Sequence, residues 1–311
     1  MERRLARIAA LPLSLCLAIP ALAHGTPGPA SGEAREVTTS AWADAYEAAT
    51  EAHLLDVATS GPPLQAYVAA RFLHLKLRTA QDPGDTRAAA GLVRRALEAG
   101  RDDWVLVHAE AECSMEVSLS RPADEVCDRT GAAERLATLG KGNAYVHLSL
   151  SSMAARAGDQ AASDAQFAAA ASATHYDEPV NRMGAAIVAV IRGIDVPPMP
   201  EDERIRLERD LRLVDPITPE VVNDIHAMAM IAGLALPAYA DLQRRCFPGG
   251  EVVADQDLHA QCLAIYGHMA RHGRHLLALL LANTSLARLA PEGVASLIVA
   301  DIAPRAYGHD H

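Results

Sequence analysis

Apolar residues recur at every third or fourth position through nearly the whole of the 311-residue chain. The apolar segments have the length of helices and end at Gly, Pro, Asp or Asn, whereas the strict alternation expected of strands is hard to find. This periodicity predicts an all-α fold. The predicted helices span residues 41–58, 63–79, 85–99, 103–118, 122–138, 143–157, 159–174, 178–192, 201–213, 218–235, 237–246, 255–272, 274–289 and 291–303.

Several of these helices begin with similar residues at a regular distance. Residues 66–68 align with residues 105–108 and with residues 144–147, which gives a period of about 39. Residues 153–158 reappear in shortened form at 269–273. A period of this size predicts stacked antiparallel helical hairpins, none of which can bury its apolar face alone. Alanine-rich helices also look repetitive through composition, so an irregular helical bundle stays open as the alternative.

One stretch, from Asn143 to Asp177, carries a more specific pattern. A turn at 157–159 separates its two helices, and Phe167 and Ala170 occupy a large and a small packing position before Pro179 ends the stretch. In these features it resembles a tetratricopeptide repeat, although the family's early Trp or Leu and its Leu-Gly pair are missing and its period is about 34 residues. The resemblance implies a TPR-like α-solenoid that presents a concave face to a protein or peptide partner.

The first 23 residues have the composition of a secretory signal peptide. Three arginines precede an apolar stretch from Ile8 to Leu22, which two prolines interrupt and which ends in the small-x-small site 21–23. We therefore expect cleavage after Ala23 and a periplasmic or secreted protein without membrane insertion. The alternative is a lipoprotein cleaved before Cys16, but the bulky Leu15 precedes that cysteine.

The rest of the chain divides at a proline-rich segment. Residues 193–200 include three prolines that cannot propagate a helix, so they predict a linker between two halves of one helical array. The predicted organisation is a flexible leader at 24–39, an N-terminal helical half at 40–192, a C-terminal helical half at 201–305 and a histidine-containing tail at 306–311.

Four cysteines remain after the signal is removed, an even number in an oxidising compartment. They cluster in two short-range pairs, and each pair flanks a predicted turn between helices. This favours the disulfides Cys113–Cys127 and Cys246–Cys262, each joining two antiparallel helices. A redox pair or a soft-metal site usually has Cys-x-x-Cys spacing, which is absent from the chain.

Charge and motifs exclude several functional classes. The chain carries a formal charge of −11, and after residue 7 no cluster of Lys and Arg is longer than a pair, which excludes a nucleic-acid or anionic-lipid partner. The sequence has no Gly-x-Ser-x-Gly elbow, no His-Glu-x-x-His helix and no glycine-rich nucleotide loop. We therefore expect a non-catalytic scaffold without a cofactor, whose partner is a protein or peptide of the cell envelope.

Histidine supports the main alternative, an all-α secreted enzyme or metal-binding protein. His268, His272 and His275 follow one another at helical spacing, which would place three imidazoles on one face as zinc or copper ligands. Gly273 interrupts this spacing. Histidines near a helix C-terminus also stabilise its carbonyl groups and its dipole without any metal.

Two further groups have metal-ligating side chains. After cleavage His24 becomes the amino terminus, where it can chelate a metal together with His309 and His311 of the tail. On one helix His108, Glu112 and Glu116 share a face that suits a metal or acid–base chemistry, but a solvated or salt-bridged helix face is the favoured interpretation.

If the hairpins repeat, the first helix of each lines the concave surface. Aromatic and arginine side chains, from which binding hot spots are usually built, recur there at helical spacing. The candidate binding residues are Tyr67, Arg71, His74, Arg78, Tyr145, Ser152 and Arg156. The alternative is that the two tyrosines pack in the core and match only because the hairpins repeat.

Overall fold

A computed structural model of the chain describes residues 40–80, 83–116, 131–213, 215–232 and 239–290. These residues form helices and no β-strand, which confirms the predicted all-α class for the described part of the chain. The helices are α1 Ala41–Ser60, α2 Pro63–Ala80, α3 Pro83–Ala99, α4 Trp104–Glu116, α5 Ala132–Leu139, α6 Ala144–Arg156, α7 Gln160–Ala171, α8 Pro179–Arg192, α9 Glu201–Leu211, α10 Pro219–Ala232, α11 Tyr239–Cys246, α12 Gln256–His272 and α13 Leu276–Leu289.

The predicted helices that fall on described residues are present, with one substantial difference. The helix predicted over 122–138 begins only at Ala132. The residue before it, Gly131, has a φ of 79°, a left-handed conformation that a continuous α-helix does not contain. Residues 117–130, and with them the rest of that prediction, lie outside the described residues, as does the helix predicted at 291–303.

The chain divides into two compact units, each assembled from two separate stretches. The first unit lies within Met1–Ala99 and Gly184–Leu234, and the second within Gly100–Met183 and Ala235–His311. The expected division into 40–192 and 201–305 does not coincide with these units.

The proline-rich segment explains the difference, because it lies inside the first unit and is fixed there by side chains. The indole Nε1 of Trp42 donates to the carbonyl oxygen of Pro197 over 3.0 Å. The amide Nδ2 of Asn223 donates to the carbonyl oxygen of Ile194, also over 3.0 Å. The Tyr46 hydroxyl in turn donates to Asn223 Oδ1. The segment is therefore a bound part of the first unit.

In the first unit, α1, α2 and α3 pack against one another. The ammonium group of Lys76 on α2 pairs with two carboxylates of α1, Glu47 at 2.9 Å and Glu51 at 2.7 Å. The imidazole of His53 contacts the Val190 carbonyl oxygen at 2.8 Å, which links α1 to α8.

In the second unit the neighbouring helices α4 and α5, α6 and α7, and α12 and α13 form hairpins, and α7 packs against α12. The core between them is formed by buried aromatic and aliphatic side chains, among them Phe167, Tyr176, Ile265 and Tyr266. Of the two predicted disulfides, Cys246–Cys262 is present, with an S–S distance of 2.06 Å, and it joins α11 to α12. The predicted pair Cys113–Cys127 is not tested, because residue 127 and the side chain of Cys113 lie outside the described part of the chain.

The turns that precede α4 and α6 have the same local structure. In each turn a glycine is followed three residues later by the residue that caps the helix. The side chain of this capping residue accepts a hydrogen bond from the backbone N–H of the residue two positions after it. In each, a Cβ on the glycine would meet a buried aliphatic side chain in the first turn of the helix. The matching pairs, all 40 positions apart, are Gly100 and Gly140, Asp103 and Asn143, and Leu106 and Val146. The distance along the chain between these two turns, 40 residues, is one residue longer than the period of about 39 that the sequence alignment gives.

The close contact between Gly140 and Val146 predicts that one added methyl group at residue 140 lowers the stability of the fold. A Cβ at residue 140 would lie 2.6 Å from both methyl carbons of Val146, which is fully buried and branched at Cβ. We expect Gly140→Ala to lower the free energy of unfolding by about 2 kcal/mol, because the packed valine cannot move away.

The matched control for this variant is Gly91→Ala, in the interior of α3. A Cβ at residue 91 meets nothing within 4 Å, so alanine should raise the free energy of unfolding by roughly 0.5–1 kcal/mol through its helix propensity. Chemical denaturation of both variants against the unchanged chain measures the two effects. Similar values for Gly91→Ala and Gly140→Ala would show that Val146 has room to adjust.

Candidate functional site

The first polar cluster of the second unit surrounds His108 on α4. Its Nε2 atom lies 3.1 Å from the Ser149 hydroxyl and 3.5 Å from a carboxylate oxygen of Glu112. The imidazole is 3 % exposed and its ring centroid lies 5.3 Å from that of Tyr145. Burial lowers the pKa of His108 to about 4, so the ring is neutral at neutral pH.

This Ser–His–Glu group does not have the geometry of a nucleophilic relay. In such a relay the base uses one ring nitrogen for the serine and the other for the carboxylate. Here Ser149 and Glu112 both approach Nε2, and the serine itself is only 2 % exposed. The arrangement is that of a hydrogen-bonded core histidine. The side chain of Glu116, the third member of the predicted face, lies outside the described part of the chain.

A second cluster, the Glu178 network, consists of Tyr176, Glu178 and Tyr239. The carboxylate is 1 % exposed, and its Oε1 atom accepts hydrogen bonds from the hydroxyls of Tyr176, at 2.9 Å, and of Tyr239. Burial, and then the charge of Glu178, raise the pKa of Tyr176, so its hydroxyl keeps the proton that it donates. Its ring packs edge-on against Tyr145, with ring centroids 6.0 Å apart.

The Glu178 network connects segments that are distant in sequence. Glu178 immediately precedes α8 and Tyr239 begins α11, 61 residues later. Sequence reasoning missed this network, because a lone glutamate before a proline and two separate tyrosines form no pattern. Both hydroxyls bind the same oxygen, Oε1, and tie these segments together, whereas the buried Oε2 atom of Glu178 has no hydrogen-bond partner among the described residues.

The predicted binding residues are mostly buried. Four of them are no more than 6 % exposed: Tyr67, His74, Tyr145 and Ser152. The Ser152 hydroxyl donates to Asp241 over 2.5 Å. A buried side chain offers no surface to a partner, so the structure favours the alternative in which the two tyrosines pack in the core.

The other three predicted binding residues are arginines. Arg71 is half-buried, and Arg156 is exposed and donates to the Ser152 carbonyl oxygen. The side chain of Arg78 lies outside the described part of the chain. Neither described arginine, taken alone, defines a binding face.

The predicted histidine face is divided between two helices. His268 and His272 lie on α12, which ends at His272, and His275 is the N-cap residue of α13. The His268 and His272 rings stack with their centroids 6.5 Å apart, and His268 Nε2 contacts the Ala171 carbonyl oxygen at 3.3 Å. Within the described ranges no three His, Cys, Asp or Glu side chains are placed to hold a metal ion. His24, His309 and His311 lie outside those ranges.

The most unusual surface of the second unit is the outer side of α13, where Leu276 is 71 % and Leu280 is 54 % exposed. Small residues occupy much of the opposite, buried side of the helix, including Ala278, Ala282 and Ser285. We call Leu276 and Leu280 the α13 apolar face. The other exposed large apolar residues of the described chain lie on separate elements. The predicted helix was correct here, but its apolar run could not show which leucines face outward.

The described helices include none that is long and apolar enough to cross a membrane.

No family model, curated protein or solved structure matches the chain.

Proposed function

We propose that the chain is a non-catalytic helical-repeat protein of the periplasm or the extracellular space, which binds a protein or peptide partner of the cell envelope. The observation that carries this proposal is the α13 apolar face. Leu276 and Leu280 lie one turn apart, so their side chains are neighbours on the helix surface. Contiguous exposed apolar surface is typical of sites where another molecule binds.

The composition of α13 strengthens this argument. A helix at the surface of a single folded unit normally places large apolar residues inward and polar residues outward. In the first half of α13 fully buried alanines, Ala278 and Ala282, face inward while Leu276 and Leu280 face outward. A helix that is apolar on both sides is suited to contacts on both sides.

The internal polar clusters support a binding role over a catalytic one. Among the described histidines and carboxylates Glu178 and His108 are the most deeply buried, and both are hydrogen-bonded to neighbours within the second unit. Catalytic acids and bases must instead reach a substrate.

Two further observations support the architecture and the location. The matching turns before α4 and α6 agree with a hairpin repeat. The Cys246–Cys262 disulfide agrees with an oxidising compartment, which is where the predicted secretory signal would direct the chain.

Affinity capture tests the proposal. The mature chain, residues 24–311, would be used to capture proteins from native envelope extract at moderate salt, beside two variants. In Leu276→Ser/Leu280→Ser the α13 apolar face is made polar, and in the control Leu55→Ser a leucine on α1 of similar exposure, 52 %, is changed. We expect one envelope protein to be retained by the unchanged chain and by the control, and to be lost with the double variant.

A purified partner must then bind the purified chain with the same dependence on the two leucines. Retention of the same proteins by all three chains would remove the α13 apolar face from the proposal. Retention of none, with a metal or small molecule copurifying in stoichiometric amount, would favour the enzyme or metal-binding alternative.

A further inference from the structure

We infer that the segment that binds the α13 apolar face is an acidic peptide, with carboxylates next to its apolar anchor residues. This inference rests on the proposed function and specifies the chemistry of its partner. It follows from the distribution of charge around the two leucines.

The hairpin that carries the α13 apolar face has the opposite charge to the rest of the protein. From Gln256 to Leu289 the hairpin contains three arginines and four histidines but a single acidic residue, Asp257, in the first turn of α12. The whole chain has a formal charge of −11. The hairpin α12–α13 is therefore a cationic element of an anionic protein, and opposite charges across an interface select the partner and speed its encounter.

Two arginines of this hairpin, Arg274 and Arg288, form no ion pair with a carboxylate of the described residues. Arg274, exposed and two residues before Leu276, has no hydrogen-bond or ion-pair partner among the described residues. Arg288 stacks its guanidinium group 4.2 Å from the centre of the Phe247 ring and donates to the Gly250 carbonyl oxygen, which leaves its charge uncompensated. Both cations are available to a carboxylate of a partner.

The start of α13 adds positive potential next to Leu276. His275, its N-cap residue, makes no side-chain cap bond to the first backbone N–H groups of the helix. Those groups carry a partial positive charge that favours an anionic neighbour.

A peptide fits this surface better than a membrane does. The buried side of α13 is fixed in the core by Ala278 and Ala282, so only one narrow face with two leucines points outward. Helices that lie in a membrane interface insert a broad apolar face, usually with aromatic residues. Two leucines one turn apart match the anchor spacing of a helix or extended peptide instead.

The test uses two labelled synthetic peptides and fluorescence anisotropy with the full chain. The first peptide is a helix former with leucines one turn apart and glutamates at its other surface positions. The second has lysine in place of every glutamate. The variants are Leu276→Ser/Leu280→Ser, Arg274→Glu and the control Arg101→Glu, which changes the net charge equally at another exposed position of the second unit.

We expect the glutamate peptide to bind about tenfold more tightly than the lysine peptide, and its affinity to fall as salt is raised. Arg274→Glu should weaken its binding about tenfold, whereas Arg101→Glu should change it less than about twofold. The double leucine variant should abolish binding. Equal binding of both peptides, no binding of either, or an equal effect of the two arginine variants would overturn the inference.

Other occupants of the face give different results, each of which overturns the acidic peptide. Binding to phosphatidylglycerol vesicles that requires Leu276 and Leu280 would assign the face to a membrane. A dimer in analytical ultracentrifugation that the double variant abolishes would assign it to a second copy. Peptide binding seen only with a chain ending at Ala290 would assign it to residues 291–311 of the chain itself.

Failure of this inference can be told apart from failure of the proposed function. A captured envelope protein that depends on the two leucines but is unaffected by Arg274→Glu contradicts the acidic partner alone. A captured set that is the same with and without the leucines contradicts the proposed function itself.

Discussion

Replacing Cys262 by serine is expected to lower the free energy of unfolding by about 3 kcal/mol, because the disulfide restricts the unfolded chain. The Cys246–Cys262 bridge closes a loop with a sequence separation of 16. Chain-entropy estimates give about 3 kcal/mol for a loop of that size. Both cysteines are fully buried in the core that contains Ile265 and Tyr266, so the serine hydroxyl adds a cost of desolvation in the same direction.

Chemical denaturation measures the loss of stability, and a thiol reagent applied to the unfolded protein identifies the cysteine that has lost its partner. Cys246 should be the residue that becomes reactive in Cys262→Ser. The double variant Cys246→Ser/Cys262→Ser serves as the control, because it lacks the free thiol and should lose a similar amount of stability. New reactivity at Cys113 or Cys127 in its place would contradict the pairing.

The disulfide illustrates which parts of the structure sequence reasoning can predict. Two cysteines that flank a short turn with proline and glycine are forced close together by the local hairpin, so their pairing needs only local information. The same holds for the helices, whose ends follow from Gly, Pro and capping residues such as Asn143 and Asp159. Gly131 is the exception, since nothing local distinguishes a left-handed glycine from one within a helix.

The division into units could not be predicted, because it depends on distant contacts. A segment with three prolines suggests a linker, yet side chains of Trp42 and Asn223 bind it within the first unit. Those residues lie 155 positions before Pro197 and 29 positions after Ile194. The helix α8 is continuous although the boundary between the units falls at Gly184, so no break in the pattern marks the division.

The candidate site was the least predictable feature for the same reason. Tyr67 and Tyr145 have the residue type of binding hot spots, but residue type does not determine whether a side chain faces the core. The α13 apolar face shows the converse. A continuous run of leucines and alanines from 276 to 282 predicts a helix but gives no period from which to choose its outer side, and only the packing of Ala278 and Ala282 identifies Leu276 and Leu280 as exposed.

The second large effect expected is a loss of stability on acidification through His108. Burial lowers the pKa of its imidazole from the usual 6.5 to about 4, so between these pH values the unfolded chain binds a proton that the folded chain does not. The contribution of neutral His108 is complete above about pH 6.5, declines as the pH falls and levels off below about pH 4. The total loss from this residue is about 3 kcal/mol.

The variant His108→Gln isolates this contribution. Glutamine can still hydrogen-bond to Ser149 but cannot take up a proton, so the difference in stability between the unchanged chain and the variant should shift by about 3 kcal/mol between pH 7 and pH 4. Denaturant midpoints at a series of pH values provide the measurement, and His175→Gln, at an exposed position, is the control that should keep the original slope. Burial also lowers the pKa of His226, so some pH dependence of the same sign should persist in His108→Gln. If that variant lost stability as steeply as the unchanged chain, the proton uptake would have to occur at another group, because only the ionisation of His108 has been removed.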